Sequence, residues 1–85
     1  GMLFDFKSEA KVSFWMKNTF IPLDIIFIDQ KGYIVNIYEN AIPLSTISIK
    51  SKYQVRAVLE INAGLVKKLN INIGDRVIYK IFRED

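Results

Sequence analysis

Alternating apolar and polar positions run through most of the chain and predict strands far more often than helices. Leu3 to Phe6 reads as a short edge strand, closed by a turn at Lys7-Ser8-Glu9. From Lys11 to Lys17 the alternation resumes, with Val12, Phe14 and Met16 on one face and Ser13, Trp15 and Lys17 on the other. Asn18, Thr19, Pro22 and Asp24 mark a turn before the next apolar run. Leu23 to Ile28 is apolar on both faces, which predicts a strand through the middle of a sheet. Asp29-Gln30-Lys31-Gly32 is a turn signal, and Tyr33 to Tyr38 returns as an aromatic and β-branched strand, so the two predict a β-hairpin.

Glu39 to Pro43 is expected to leave the sheet, with a further extended piece at Thr46 to Ile49. In Tyr53 to Ile61 the residues Tyr53, Val55, Ala57, Leu59 and Ile61 oppose Gln54, Arg56, Val58 and Glu60, one core face and one partly wet face. Asn62 is placed to cap a short helix reaching Lys68 or Leu69, although Gly64 disfavours it by about 1 kcal/mol relative to alanine. Asn72-Ile73-Gly74-Asp75 then turns the chain into a last strand, Arg76 to Phe82. With no repeat or linker, the pattern predicts a single domain over residues 1–85. Its fold class is mainly β, a compact antiparallel β-sandwich or barrel with one short helix.

The chain has 85 residues, 51% hydrophobic and 25% charged, a balance that fits a packed domain and excludes a disordered tail. No apolar run approaches the roughly 20 residues of a membrane span, and no basic leader precedes Phe4. The expectation is a soluble protein, cytoplasmic or exported after loss of a signal segment. Without cysteine there is no disulfide, thiolate nucleophile or sulfur ligand, and without histidine the commonest neutral-pH acid/base and metal ligand is missing. No cofactor or metal is expected. The net charge of +3 permits weak attraction to anionic surfaces, but the cations are scattered from Lys7 to Arg83, so nucleic acid is not the expected partner.

Gly1-Met2-Leu3-Phe4, Phe14-Trp15-Met16-Lys17-Asn18-Thr19, Ile21-Pro22-Leu23-Asp24, Val58-Leu59-Glu60, Ala63-Gly64 and Gly74-Asp75 span nearly the whole chain. In that order and spacing they resemble the family called domain of unknown function 192. The resemblance implies a small β-sandwich or barrel with a minor helical segment, in agreement with the periodicity. It names no reaction and therefore assigns no catalytic residue. Family members carry a further N-terminal strand and a glycine-leucine-methionine motif ahead of the Gly1 position. The resemblance thus implies a truncated, cleaved or divergent form whose uncovered edge another copy of the chain could pair with.

Trp15 is a candidate platform for a sugar ring, a base or a peptide, with the Lys17 charge beside it; its structural alternative is a small second core under a loop. Asn18 and Thr19 are candidate hydrogen-bonding residues, or simply satisfy their own turn. Asp24 and Glu60, each within an apolar strand, are candidates for paired carboxylates. A glycan hydrolase would hold them about 5 to 5.5 Å or about 6.5 to 9.5 Å apart. In the structural alternative Asp24 accepts turn amides and Glu60 meets Arg56, Lys17 or solvent. Asp75 completes a weak set of oxygen ligands that lacks the dense spacing of a calcium loop, Ser45 and Ser48 have no histidine base, and Met16 reads as core. The leading expectation is non-catalytic recognition of a peptide or saccharide. The alternatives are glycan hydrolysis or a structural role through another protein chain or a homo-oligomer.

Overall fold

The computed structural model of the protein describes residues 1–82, so that Arg83, the last of the scattered cations, lies outside the described residues. In chain order the elements are β1 (Met2–Ala10), β2 (Ser13–Phe14), β3 (Leu23–Ile28), β4 (Ile34–Ala41), β5 (Ile49–Lys50), β6 (Val55–Asn62) and α1 (Leu65–Lys68). Four strands form an antiparallel sheet in the order β1-β6-β3-β4, and β2 pairs with β5 in a separate ribbon. The fold is mainly β, antiparallel, with one short helix. Because β1 and β4 remain at opposite ends of the sheet, it does not close into a barrel, and the architecture is sandwich-like.

β3 explains the arrangement. All six of its residues are buried, because a different layer covers each face of the sheet. On one face Leu23, Ile25 and Phe27 meet Val58, Met16 and Ile49, with Val12 and Phe14 of the ribbon region packed alongside. On the other, Ile26 and Ile28 meet Ile34, Ala57, Val66 of α1 and Phe82, with Ile71, Val77 and Ile81 added from the C-terminal segment. An unbroken apolar run is what a strand between two such layers requires.

The expected hairpin of Leu23 to Ile28 with the following strand is present, and Asp29 builds its turn by accepting the amides of Lys31 and Tyr33 at 2.9 Å. Several boundaries differ from expectation for identifiable reasons. The turn expected at Lys7-Ser8-Glu9 is an irregularity inside one long strand: Lys7 takes a positive φ of 70°, its amide is held by Asp5, and β1 shifts register against β6 between Asp5 and Ala10. Arg56 on β6 clasps Asp5 across this bulge at 2.6 Å, which holds the Asp5 carboxyl well below the usual carboxylate range. The strand expected to run to Lys17 stops at Phe14, because the Met16 amide bonds the Ser45 carbonyl instead. β4 continues through Glu39 and Asn40 to Ala41, opposite Leu23, where it was expected to leave the sheet. The extended piece expected at Thr46 to Ile49 is reduced to β5.

Two corrections concern the C-terminal third. Arg76 to Phe82 is not a strand: it makes a single bridge, Arg76 to Tyr33, before folding over the sheet so that Phe82 and Ile81 enter the core. The segment's backbone bonds Gly32 through the Val77 amide just ahead of β4, and beyond that its apolar side chains pack on the sheet instead of extending it. Nor does Asn62 cap the helix. It ends β6, and α1 begins after Gly64 with no side-chain cap of its own.

Candidate functional site

The two-stranded ribbon is too small to cover its face of the sheet. It packs over β3, and the β1/β6 side is left as an open groove of about 320 Å³. Phe4 and Phe6 of β1 and Val58 and Glu60 of β6 line it from the sheet, and Ser13, Phe14, Trp15 and Thr19 line it from the ribbon and the turn beyond. Phe14 joins the groove to the core, its ring 6.1 Å from that of Phe27. Trp15 stands half exposed at 51%, just after the last paired residue of β2. It is a groove wall and not a buried anchor, and the Lys17 ammonium lies 5.2 Å from its ring centroid.

Glu60 is the one titratable residue in this lining. Among the described residues its carboxylate has no hydrogen-bond or ion-pair partner, and neither oxygen is sealed from solvent. Partial burial without a compensating donor pushes its pKa above the ordinary glutamate value. Of the partners the structural alternative gave it, Arg56 is engaged by Asp5 and Lys17 sits over Trp15, which leaves solvent.

Asp24 is elsewhere and occupied. It is fully buried, one oxygen accepting the Asn40 amide at 2.9 Å and the other the Gly64 and Val66 amides at 3.0 Å each. The cap expected from Asn62 is thus supplied by a carboxylate from β3. In the β3–β6 ladder Asp24 lies opposite Ile61 and Ile25 opposite Glu60. Successive residues of a strand project to opposite faces, so Asp24 and Glu60 face away from each other across the sheet and cannot flank one glycosidic bond.

Of the remaining candidates, Thr19 reaches the groove, and its backbone closes the turn by donating to Met16 at 3.1 Å and accepting from Leu44 at 3.0 Å. Asn18 is exposed at the tip of that turn, outside the lining. Met16 is core, at 1% exposure. Asp75 accepts the Asn72 amide at 2.8 Å in its own turn, and no cluster of potential metal ligands occurs among the described residues. No helix among them is long and apolar enough to cross a membrane.

Sequence reasoning passed over Phe4, Phe6, Ser13, Phe14 and Val58. The signal for the first two was present, because aromatic residues two apart on a short strand share one face. Knowing that this face stays uncovered required the ribbon.

A family model described as "Uncharacterized ACR", domain of unknown function 192, matches residues 1–79. Two solved structures are similar at a TM-score of 0.88. One, from Sinorhizobium meliloti and provisionally described as a transcription regulator, is 53% identical over 89% of this chain and 59% of its own. The other, a protein of unknown function from Novosphingobium aromaticivorans, is 41% identical over 92% of this chain and 56% of its own. The chain therefore spans less than two thirds of each of these proteins. No curated protein matches it.

Proposed function

The chain belongs to the uncharacterised family of domain of unknown function 192, and on that footing we propose that it is a recognition module that binds an extended peptide in the groove beside β1, without catalysis. The observation that carries this reading is the aromatic groove itself, open to solvent beside a strand that ends the sheet among the described residues. A peptide laid along β1 gains backbone hydrogen bonds from the edge that is unpaired among the described residues and sends alternate side chains toward Phe4 and Phe6. Trp15 and Phe14 supply contact area, while Ser13 and Thr19 supply hydroxyls that orient the guest.

Non-catalytic binding is favoured over glycan hydrolysis because the groove holds one carboxylate and not two. The Sinorhizobium protein's description invites a nucleic-acid reading. However, none of the eight lining residues is basic and one is acidic, the reverse of what a phosphate backbone attracts. The test is an unbiased screen of the protein against arrayed peptides, glycans and short nucleic acids, with calorimetric titration of hits against wild type and Trp15→Ala. Peptide hits weakened by the substitution are expected. Hits confined to glycans, or peptide affinity untouched by Trp15→Ala, would overturn the reading.

A further inference from the structure

Resting on that reading, we infer that the groove selects peptides carrying a lysine or arginine side chain, the cation lodging between the Glu60 carboxylate and the aromatic faces of Phe4, Phe6 and Trp15. Three observations converge on this chemistry. First, Glu60 stands in the middle of the sheet, on β6 between Met2 of β1 and Ile25 of β3, where the backbone amides serve the ladders and give its carboxylate none. A half-buried carboxylate without a donor is a site waiting for one, and a cationic donor gives the strongest hydrogen bond available to it. Second, four of the lining residues, Phe4, Phe6, Phe14 and Trp15, are aromatic, and an aromatic ring attracts a cation that meets its face. The Lys17 ammonium above the Trp15 ring shows that this indole already attracts a cation within the chain. Third, among the described residues no basic side chain lines the groove and Glu60 holds no ion pair, so an incoming cation has only the Lys17 ammonium over Trp15 as a like-charged neighbour and displaces no existing ion pair.

An amphipathic side chain suits the shape as well as the charge. The groove is mainly apolar with its carboxylate on the sheet side, so the methylene stem of lysine or arginine packs on Phe4, Phe6 and Trp15 while the head reaches Glu60. A neutral saccharide would stack on Trp15 equally well but has no charge to match Glu60. An acidic peptide would be repelled.

The protein has a single tryptophan, so its intrinsic fluorescence reports on this wall of the groove without labelling. The probes are blocked pentapeptides of alternating threonine and valine whose central residue is lysine, norleucine or glutamate, titrated into wild type and Glu60→Gln. Because Glu60 has no partner to lose among the described residues, Glu60→Gln is expected to fold, which its unfolding curve verifies. The lysine peptide is expected to bind at least tenfold more tightly than the norleucine peptide, with the glutamate peptide weakest, and Glu60→Gln should abolish that ranking. Phe6→Leu provides a second check, since it keeps an apolar wall but removes a ring face and should reduce the lysine preference more than norleucine binding. Equal affinity for lysine and norleucine in wild type, or a preference that survives Glu60→Gln, would overturn the cation inference while leaving groove recognition intact. No binding of any of the three up to millimolar concentration, by fluorescence and by calorimetry, would overturn both. A neutral oligosaccharide that binds and is weakened by Trp15→Ala would replace the peptide with a sugar.

Discussion

Asp24 and Glu60 occupy neighbouring rungs of the same β3–β6 ladder, yet one is sealed with three amide donors and the other is left with none. Which face of the sheet each side chain leaves from makes the difference. The Asp24 face is closed by α1 and the C-terminal segment, which bring the unpaired amides of a helix start against it. The Glu60 face is closed over β3 and the neighbouring Val55 and Val58 of β6, by a ribbon of two short strands, and left open toward β1. The same functional group is thus a structural bolt on one side and a solvent-accessible carboxylate without a donor on the other. A carboxylate's role follows from the backbone donors within reach of it, not from the hydrophobicity of its strand.

The comparison breaks most readily at Asp24. Asp24→Ala leaves three amides without their acceptor, two of them at the start of α1, and should lower unfolding stability by about 3 kcal/mol or more in urea. A loss below about 1 kcal/mol would mean that water replaces the carboxylate and that this face is not closed. Gly32 tests the same closed face from the hairpin turn. Its φ is 96°, and an added Cβ would lie 2.6 Å from the Val77 carbonyl oxygen and 3.3 Å from Phe82. Gly32→Ala is therefore expected to cost about 2 kcal/mol from backbone strain and the displaced segment together. A thermal melt indistinguishable from wild type would show that the C-terminal segment docks only loosely.

On the open face, substitutions should separate binding from stability. Trp15→Ala is expected to weaken the lysine-bearing peptide by about 2 kcal/mol, roughly thirtyfold, while changing unfolding stability by less than about 1 kcal/mol, because half of the indole already faces solvent. Calorimetry beside chemical denaturation separates the two, and the reverse ranking would make Trp15 a packing residue. The smallest effect belongs to Glu60→Gln without ligand. Burial raises the Glu60 pKa in the folded state, so ionising it disfavours folding above that value, and the penalty is relieved as pH falls toward the unfolded-state value. The variant should melt at or slightly above wild type near neutral pH, with the gap closing as pH drops through the ordinary carboxylate range. A variant less stable than wild type at neutral pH would reveal a stabilising partner for Glu60 and remove the contrast with Asp24.

By itself the sequence determined the strands and their character. The period-two pattern marked β6 as a strand, although Val58, read on its wetter face, is buried in the core; the two-sided apolar run marked β3 and placed it inside, and Asp29 to Gly32 specified the hairpin, because each depends on residues close together in the chain. The outward placement of Trp15 and Lys17 against buried Met16 was legible on the same ground. Tertiary structure decided everything that needed a partner from far away. Asp24 caps a helix 40 residues downstream, Arg76 to Phe82 gives up a strand pattern to cover one face, and the groove exists because the ribbon stops short of β1 and β6. Local periodicity tells a side chain which way to face. Only the packed layers determine whether that direction leads into a core, onto a row of amides, or out into an open cleft.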